Sequence, residues 1–218
     1  MRQIVSIQVG QVKSYLMHRE QPAEKTWKTA FDKRPVPTPV IVARSGVDGD
    51  EQADRKHHGG PDKAVLMYAN EHYHAWTKEF VHLDLGPGGF GENLTVEGMT
   101  EDSVCIGDVY RIGNLVVEVS QPRIPCWKIS ERWREATLTD RVRATGWTGW
   151  YVRVREPGVI SARDAIELID RPHPTLDVTA LNALLFDRAE KSPALLQQLE
   201  RCVALAEGWR QAVPELRA

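Results

Sequence analysis

The chain has 218 residues, 42% hydrophobic and 27% charged, which is enough apolar material for a real core. The 28 Lys and Arg against 30 Asp and Glu leave a net charge of −2, so no global field draws the protein to nucleic acid or to a membrane. Three widely spaced cysteines, Cys105, Cys126 and Cys202, argue against a disulfide framework and a cysteine-cage zinc site; with no apolar run of about 18 residues and no secretory-type start, the expected compartment is the cytoplasm.

The first 170 residues read as β-rich. IVSIQVGQV, from Ile4, alternates loosely enough for a strand covered on one face and partly on the other. VPTPVIVA, from Val36, reads as an edge-like strand entered through prolines. KAVLMYA, from Lys63, is a buried strand or an apolar approach to a helix; Tyr73, Trp76 and Phe80 then fall at helical spacing after the potential cap Asn70. DVYRIGNLVVEVS places two alternating runs around Gly113-Asn114, a strong hairpin signal. WYVRVREPGVIS and DAIELID supply further strand–turn–strand material around Glu156-Pro157-Gly158.

After Arg171-Pro172-His173-Pro174 the pattern changes. Asp177 or Thr179 caps a helix bearing Leu181, Leu184 and Leu185, and Ser192-Pro193 opens another with Leu195, Leu196, Leu199 and Val203, which Gly208 ends or kinks. The reading is therefore a β domain over residues 1–170 and a helical appendage over 171–218. So short an appendage rarely has its own core, so it is expected to dock on the β domain or a partner.

Three stretches carry candidate chemistry. In SQPRIPCWKIS, Cys126 follows the confident strand directly. Pro122 and Pro125 hold the segment extended, without helix or continued central pairing, and Arg123 and Lys128 place positive charge near the thiol. Such a cysteine is either a small buried hydrophobe or a working thiolate that attacks an electrophile, carries sulfur or binds a soft metal. In ADRKHHGGPDKA, Gly59-Gly60 permits backbone N–H groups to approach an anion, beside Lys56, His57 and His58; a solvated turn is the plainer account. His72 and His74, on the expected helix, read as surface or structural. GPGGFGENLTVEG lacks the lysine and hydroxyl of a P-loop, and Phe90 breaks the dinucleotide pattern, so it is a turn or a pocket wall carrying Glu92 and Asn93. A Cys–His hydrolase pairing Cys126 with His57 or His58 lacks a nucleophile-elbow pattern, and a nicotinamide or flavin enzyme lacks its alternating strand–helix fingerprint.

In this order, GVDGDEQADRKHHGGPDKAVLMY, FGENLTVEGMTEDSVCIGDVYRIG and VEVSQPRIPCWKI closely resemble the MOSC domain family, named for the C-terminal domain of molybdenum cofactor sulfurases, and within it the stand-alone bacterial YiiM-like branch. The resemblance covers nearly the whole chain. It implies a mainly β fold with some α structure, a MOSC-type β-barrel with a small C-terminal helical appendage. It also implies a molybdenum cofactor (molybdopterin), with pyridoxal phosphate not expected. Carried over, Cys126 is the molybdenum ligand and catalytic cysteine. Arg123 and Lys128, with Lys56, His58, Gly59 and Gly60 as a second wall, are candidates for the cofactor phosphate, and Asn93 for the pterin edge. The implied activity is reduction of N-hydroxylated compounds such as 6-hydroxylaminopurine, with electrons from a separate reductase, because the chain shows no flavin, haem or iron–sulfur motif. The alternative is a non-catalytic carrier of cofactor or sulfur on Cys126. The helical appendage is expected to form either a homodimer interface or a docking surface for the electron donor. One departure stands out: Arg163 occupies a position before Asp164 where relatives often have glycine.

Overall fold

The computed structural model describes residues 1–18, 25–54, 59–186 and 190–212. Thirteen strands lie among them: β1 (Gln3–Val9), β2 (Lys13–Leu16), β3 (Thr26–Thr29), β4 (Arg34–Pro35), β5 (Val40–Ala43), β6 (Gly46–Val47), β7 (Val65–Ala69), β8 (Leu94–Glu97), β9 (Val109–Ile112), β10 (Leu115–Pro122), β11 (Trp150–Glu156), β12 (Gly158–Ile160) and β13 (Ile166–Asp170). The helices are α1 (Glu71–Glu79), α2 (Lys128–Trp133), α3 (Leu138–Thr145), α4 (Val178–Leu185), α5 (Pro193–Arg201) and α6 (Glu207–Ala212). No helix among the described residues is long and apolar enough to cross a membrane.

Eight strands form one curled sheet in the order β13-β9-β10-β11-β7-β8-β1-β4. Its curl brings β1 round to the residues just before β13, where Ile4 N donates to Asp164 O (3.0 Å), Arg163 N to Ile4 O (2.8 Å) and Ile166 N to Arg2 O (2.9 Å). This is the barrel-like, mainly β architecture expected, closed by backbone bonds at the Arg163-Asp164 turn. The interior is filled by inward residues such as Ile4, Met67, Leu94, Tyr110, Val119 and Trp150, all essentially inaccessible to solvent. Full burial of each large apolar side chain contributes about 1.5–3 kcal/mol.

The Gly113-Asn114 hairpin forms as its pattern requires: Ile112 faces Leu115, and Gly113 supplies the positive φ of 59°. Two strands differ from expectation. β5 begins only after Pro39 and is the middle strand of a small sheet ordered β12-β5-β6, so the prolines lie outside it and cost it no ladder bond. The true edge proline is Pro35, in β4. After Pro157, β12 does not fold back on β11 but pairs with β5. Asn70 takes the cap position of α1 without a side-chain capping bond.

In the tail, Asp177 caps α4 by accepting from Ala180 N (2.7 Å), and Ser192 caps α5 by accepting from Leu195 N (3.3 Å). α5 ends at Arg201, so Gly208 neither ends nor kinks it; it lies in the first turn of α6. Leu181, Leu184, Leu196, Leu199, Leu205 and Trp209 join the same apolar core as Tyr110, Val119 and Trp150. Polar ties reinforce the docking. Arg153 donates to Ala204 O, Glu118 and Asp62 (2.8, 2.8 and 2.9 Å), and Arg171 grips the fully buried Asp108 with two nitrogens (2.8 and 2.7 Å).

Arg163 adopts φ 75°, a left-handed conformation that costs a non-glycine residue about 1–2 kcal/mol. Only its backbone N–H is used at the barrel closure. Arg163→Gly is therefore expected to stabilise the protein by about 0.5–1 kcal/mol in chemical denaturation, after the entropic penalty of glycine.

Candidate functional site

Cys126 is delivered by β10, every residue of which is buried. On the β9 side β10 pairs through Glu118, Val119 goes on to bond Gly107 N and Asp108 O, and Ser120 O accepts from Ala206 N, so the last two residues pair with β11 alone, Gln121 opposite Tyr151 and Pro122 opposite Trp150. On that one-sided stretch the missing N–H of Pro122 costs no bond, so pairing runs further than the prolines had implied. It continues to Arg123, whose N–H donates to Gly149 O at 3.0 Å. A helix also follows at once, contrary to expectation: the Cys126 carbonyl accepts from Ile129 N (3.1 Å) and Thr139 Oγ1 (3.3 Å) as α2 begins. The thiol thus sits at a strand-to-helix junction with its backbone fixed on both sides. Cys126 is partly exposed, whereas Cys105 and Cys202 are buried and their thiols are pushed up by burial.

One cleft gathers Cys126, Arg123, Lys128 and Asn93, together with Lys63 and Tyr151, which the sequence reading did not single out. Arg123 is 4% exposed. Its Nη2 donates to Phe90 O (3.0 Å), while its Nη1, also buried, has no partner. Burial pushes the Lys63 amine below its ordinary value, against the pull of Asp54 and Asp62. Burial likewise raises the Tyr151 phenol; Arg123 opposes this, and Cys126 and Asp50 add to it.

The cleft's polar floor is braced by protein bonds. Asn93 Oδ1 accepts from Leu66 N (3.2 Å), and its Nδ2 donates to Asp50 Oδ2 (2.9 Å). Its amide therefore lines the cleft but is already engaged. Asp50 also accepts from Gly10 N (2.8 Å) and pairs with the buried Lys33, whose amine burial pushes down while Asp50 raises it. The Gly86–Gly91 loop is a turn wrapped around a carboxylate. Glu92, fully buried, accepts from Tyr73 Oη (2.6 Å), Gly88 N (2.7 Å), Thr95 Oγ1 (2.8 Å) and Phe90 N (3.1 Å). Phe90 stacks on Tyr68 at 4.8 Å and so fixes the carbonyl that holds Arg123.

Gly59 and Gly60 do not line the cleft. Gly60, at φ 96°, leads into the short turn Pro61–Lys63 that presents Lys63, and Arg153 anchors that turn through Asp62. Lys56, His57 and His58 lie outside the described residues. His72 is structural, as read: it is buried, with Nε2 2.6 Å from Glu101 Oε2 and its ring stacked on Trp147. The α2–α3 pair had no counterpart in the sequence reading, although Leu138 and Val142 fall at helical spacing and are buried.

A partly exposed thiol, a buried guanidinium with a free donor, and two ammonium groups suit an anionic ligand with a soft centre. Among the described residues no three His, Cys, Asp or Glu side chains converge on a bare ion. Cys126 with Arg123 and Lys128 is a donor set that would fit a group bringing its own metal ligands and a phosphate, as the molybdenum cofactor does. Because four donors converge on Glu92, Glu92→Gln sets amide N–H groups against some of them. It is expected to cost about 2–4 kcal/mol in denaturation, with loss of the Phe90 and Arg123 arrangement.

Comparison with known proteins bears on the family and the fold. The MOSC domain matches residues 54–167. Protein YiiM of Escherichia coli is 37% identical over 186 residues, covering 84% of this chain and 78% of that protein. A protein named reductase from Gibberella moniliformis is 41% identical over 143 residues, 64% of this chain and 25% of that one. The crystal structure of YiiM from Geobacillus stearothermophilus superposes with a TM-score of 0.81 at 32% identity, covering all of both chains. The chain belongs to the MOSC domain family, within its YiiM-like branch.

Proposed function

We propose that the protein is a molybdenum-cofactor-dependent reductase of N-hydroxylated compounds, with Cys126 as the protein ligand to the metal. The observation that carries this reading is the buried Arg123 Nη1, unpartnered in the same cleft as the Cys126 thiol. A buried cationic donor left unmade is costly, and an anion placed there removes the cost.

In this reading Cys126 supplies the thiolate, and Arg123 Nη1 with the Lys128 ammonium binds the phosphate end of the cofactor. When bound, the cofactor supplies a two-electron, oxygen-accepting redox centre. The net reaction takes an N–OH group, two electrons and two protons to an amine and water. The groups lining the cleft that carry protons are Lys63 and Tyr151. Burial makes Lys63 more readily deprotonated than an ordinary lysine and Tyr151 less readily deprotonated than an ordinary phenol. The turn that carries Lys63 to the cleft wall is pinned by the Arg153–Asp62 pair at 2.8 Å.

The electrons come from a separate reductase. That a relative sharing this region is named a reductase supports the redox reading.

The test uses protein purified from a cofactor-competent host, assayed for reduction of 6-hydroxylaminopurine with a supplied electron donor. Wild type is expected to turn over, and Cys126→Ala to fall to background while keeping its fold by circular dichroism. Full activity in Cys126→Ala would remove the ligand assignment. Cofactor loading without turnover in wild type would instead identify a carrier.

A further inference from the structure

Gly149 is held at both of its backbone groups. Its N–H donates to Glu101 Oε1 at 2.8 Å, and the same carboxylate is bonded to His72. Its carbonyl accepts from Arg123 N at 3.0 Å and from Thr148 Oγ1 at 2.9 Å. Thr148 Oγ1 in turn accepts from Asn182 Nδ2 at 2.9 Å, and that amide nitrogen also donates to Gly146 O at 2.9 Å. Asn182 belongs to α4, in the helical tail, and is 1% exposed; Thr148 is fully buried. A second tie runs from the tail to the same place, from Thr179 N to Glu101 O at 3.2 Å. Gly149 itself has φ 74°, and a Cβ there would lie 2.5 Å from Met67 O, so its backbone is pressed against β7 with little room to drift.

A connected set of bonds therefore runs from the tail to the cleft: the Asn182 amide donates to the Thr148 hydroxyl, the hydroxyl donates to the Gly149 carbonyl, and the Arg123 N–H donates to that same carbonyl. Arg123 is anchored at its backbone by Gly149 and at Nη2 by Phe90, and these two anchors together aim the unpartnered Nη1. The hydroxyl acts here by fixing where the shared carbonyl sits, so its loss frees the carbonyl that places Arg123 to shift.

We propose that the helical tail is a positioning element for the cleft, with Asn182 and Thr148 setting, through Gly149, how tightly Arg123 holds an anion. The inference rests on the reading of the cleft as an anion site. Both residues act at a distance from any ligand, so they are positioning rather than catalytic residues.

The test titrates inorganic phosphate into the cofactor-free full-length protein by calorimetry, well below its melting temperature. Wild type is expected to bind and Arg123→Met not to. Thr148→Val and Asn182→Leu should each weaken binding about tenfold, and the double variant should be no weaker than either single one, because both cut one chain. Thr148→Ser keeps the hydroxyl and should bind as wild type does. A merely structural role would lower the melting temperature of Thr148→Val and Asn182→Leu and leave their dissociation constants at the wild-type value; that result overturns the positioning role while leaving the anion site intact. Wild type and Arg123→Met binding alike, or neither binding, would overturn the anion site and this inference with it.

Discussion

A guanidinium buried in protein with one donor unmade is the constraint around which this molecule is arranged. Arg123 is almost sealed from solvent, yet Nη1 has no partner among the described residues. Removing such a group from water costs several kcal/mol unless a counter-charge is supplied, and among the described residues no carboxylate is bonded to it. The surrounding structure holds the arginine there regardless. Gly149 fixes its backbone, the Phe90 carbonyl fixes its other terminal nitrogen, and the Glu92 carboxylate fixes the loop that carries Phe90. An anion bound there would remove that cost, the way a preorganised site gains affinity.

The sheet, the glycine loop and the tail all converge on that arrangement. β10 carries Arg123 and Cys126 off its one-sided end, so the chain leaves the barrel where the cleft opens. Arg153 ties the Pro61–Lys63 turn, β10 and the tail together through Asp62, Glu118 and the Ala204 carbonyl. Side chains held by several charge-assisted bonds at once lose few degrees of freedom when a ligand arrives. The aromatic cluster of Tyr68, Tyr73, Trp76 and Phe90 plays the same part for the glycine loop, with Trp76 Nε1 bonded to Tyr68 Oη at 2.7 Å.

Local features were legible in the sequence where a short-range rule governs them. The Gly113-Asn114 hairpin, the capping of α4 by Asp177 and of α5 by Ser192, and the special setting of Cys126 all follow from residues a few positions apart. Features set by distant contacts were not. Asn93 is a candidate for the pterin edge in the sequence, but its bond to Asp50, 43 positions away, is not legible there. Lys63 entered the cleft because Asp62 is clamped by Arg153, 91 positions away. α2 and α3 were missed because their few apolar residues become decisive only against Tyr68 and Trp76. Arg163 in a left-handed turn is a case where the tertiary bonds of the barrel closure override the local preference for glycine.

The account stands on Cys126 binding molybdenum directly while Arg123 secures the cofactor. X-ray absorption at the molybdenum edge tests this most directly, on holoprotein of wild type and Cys126→Ser loaded side by side. The account predicts one sulfur neighbour fewer around the metal in Cys126→Ser, with an oxygen in its place. An unchanged sulfur shell in the variant would contradict it.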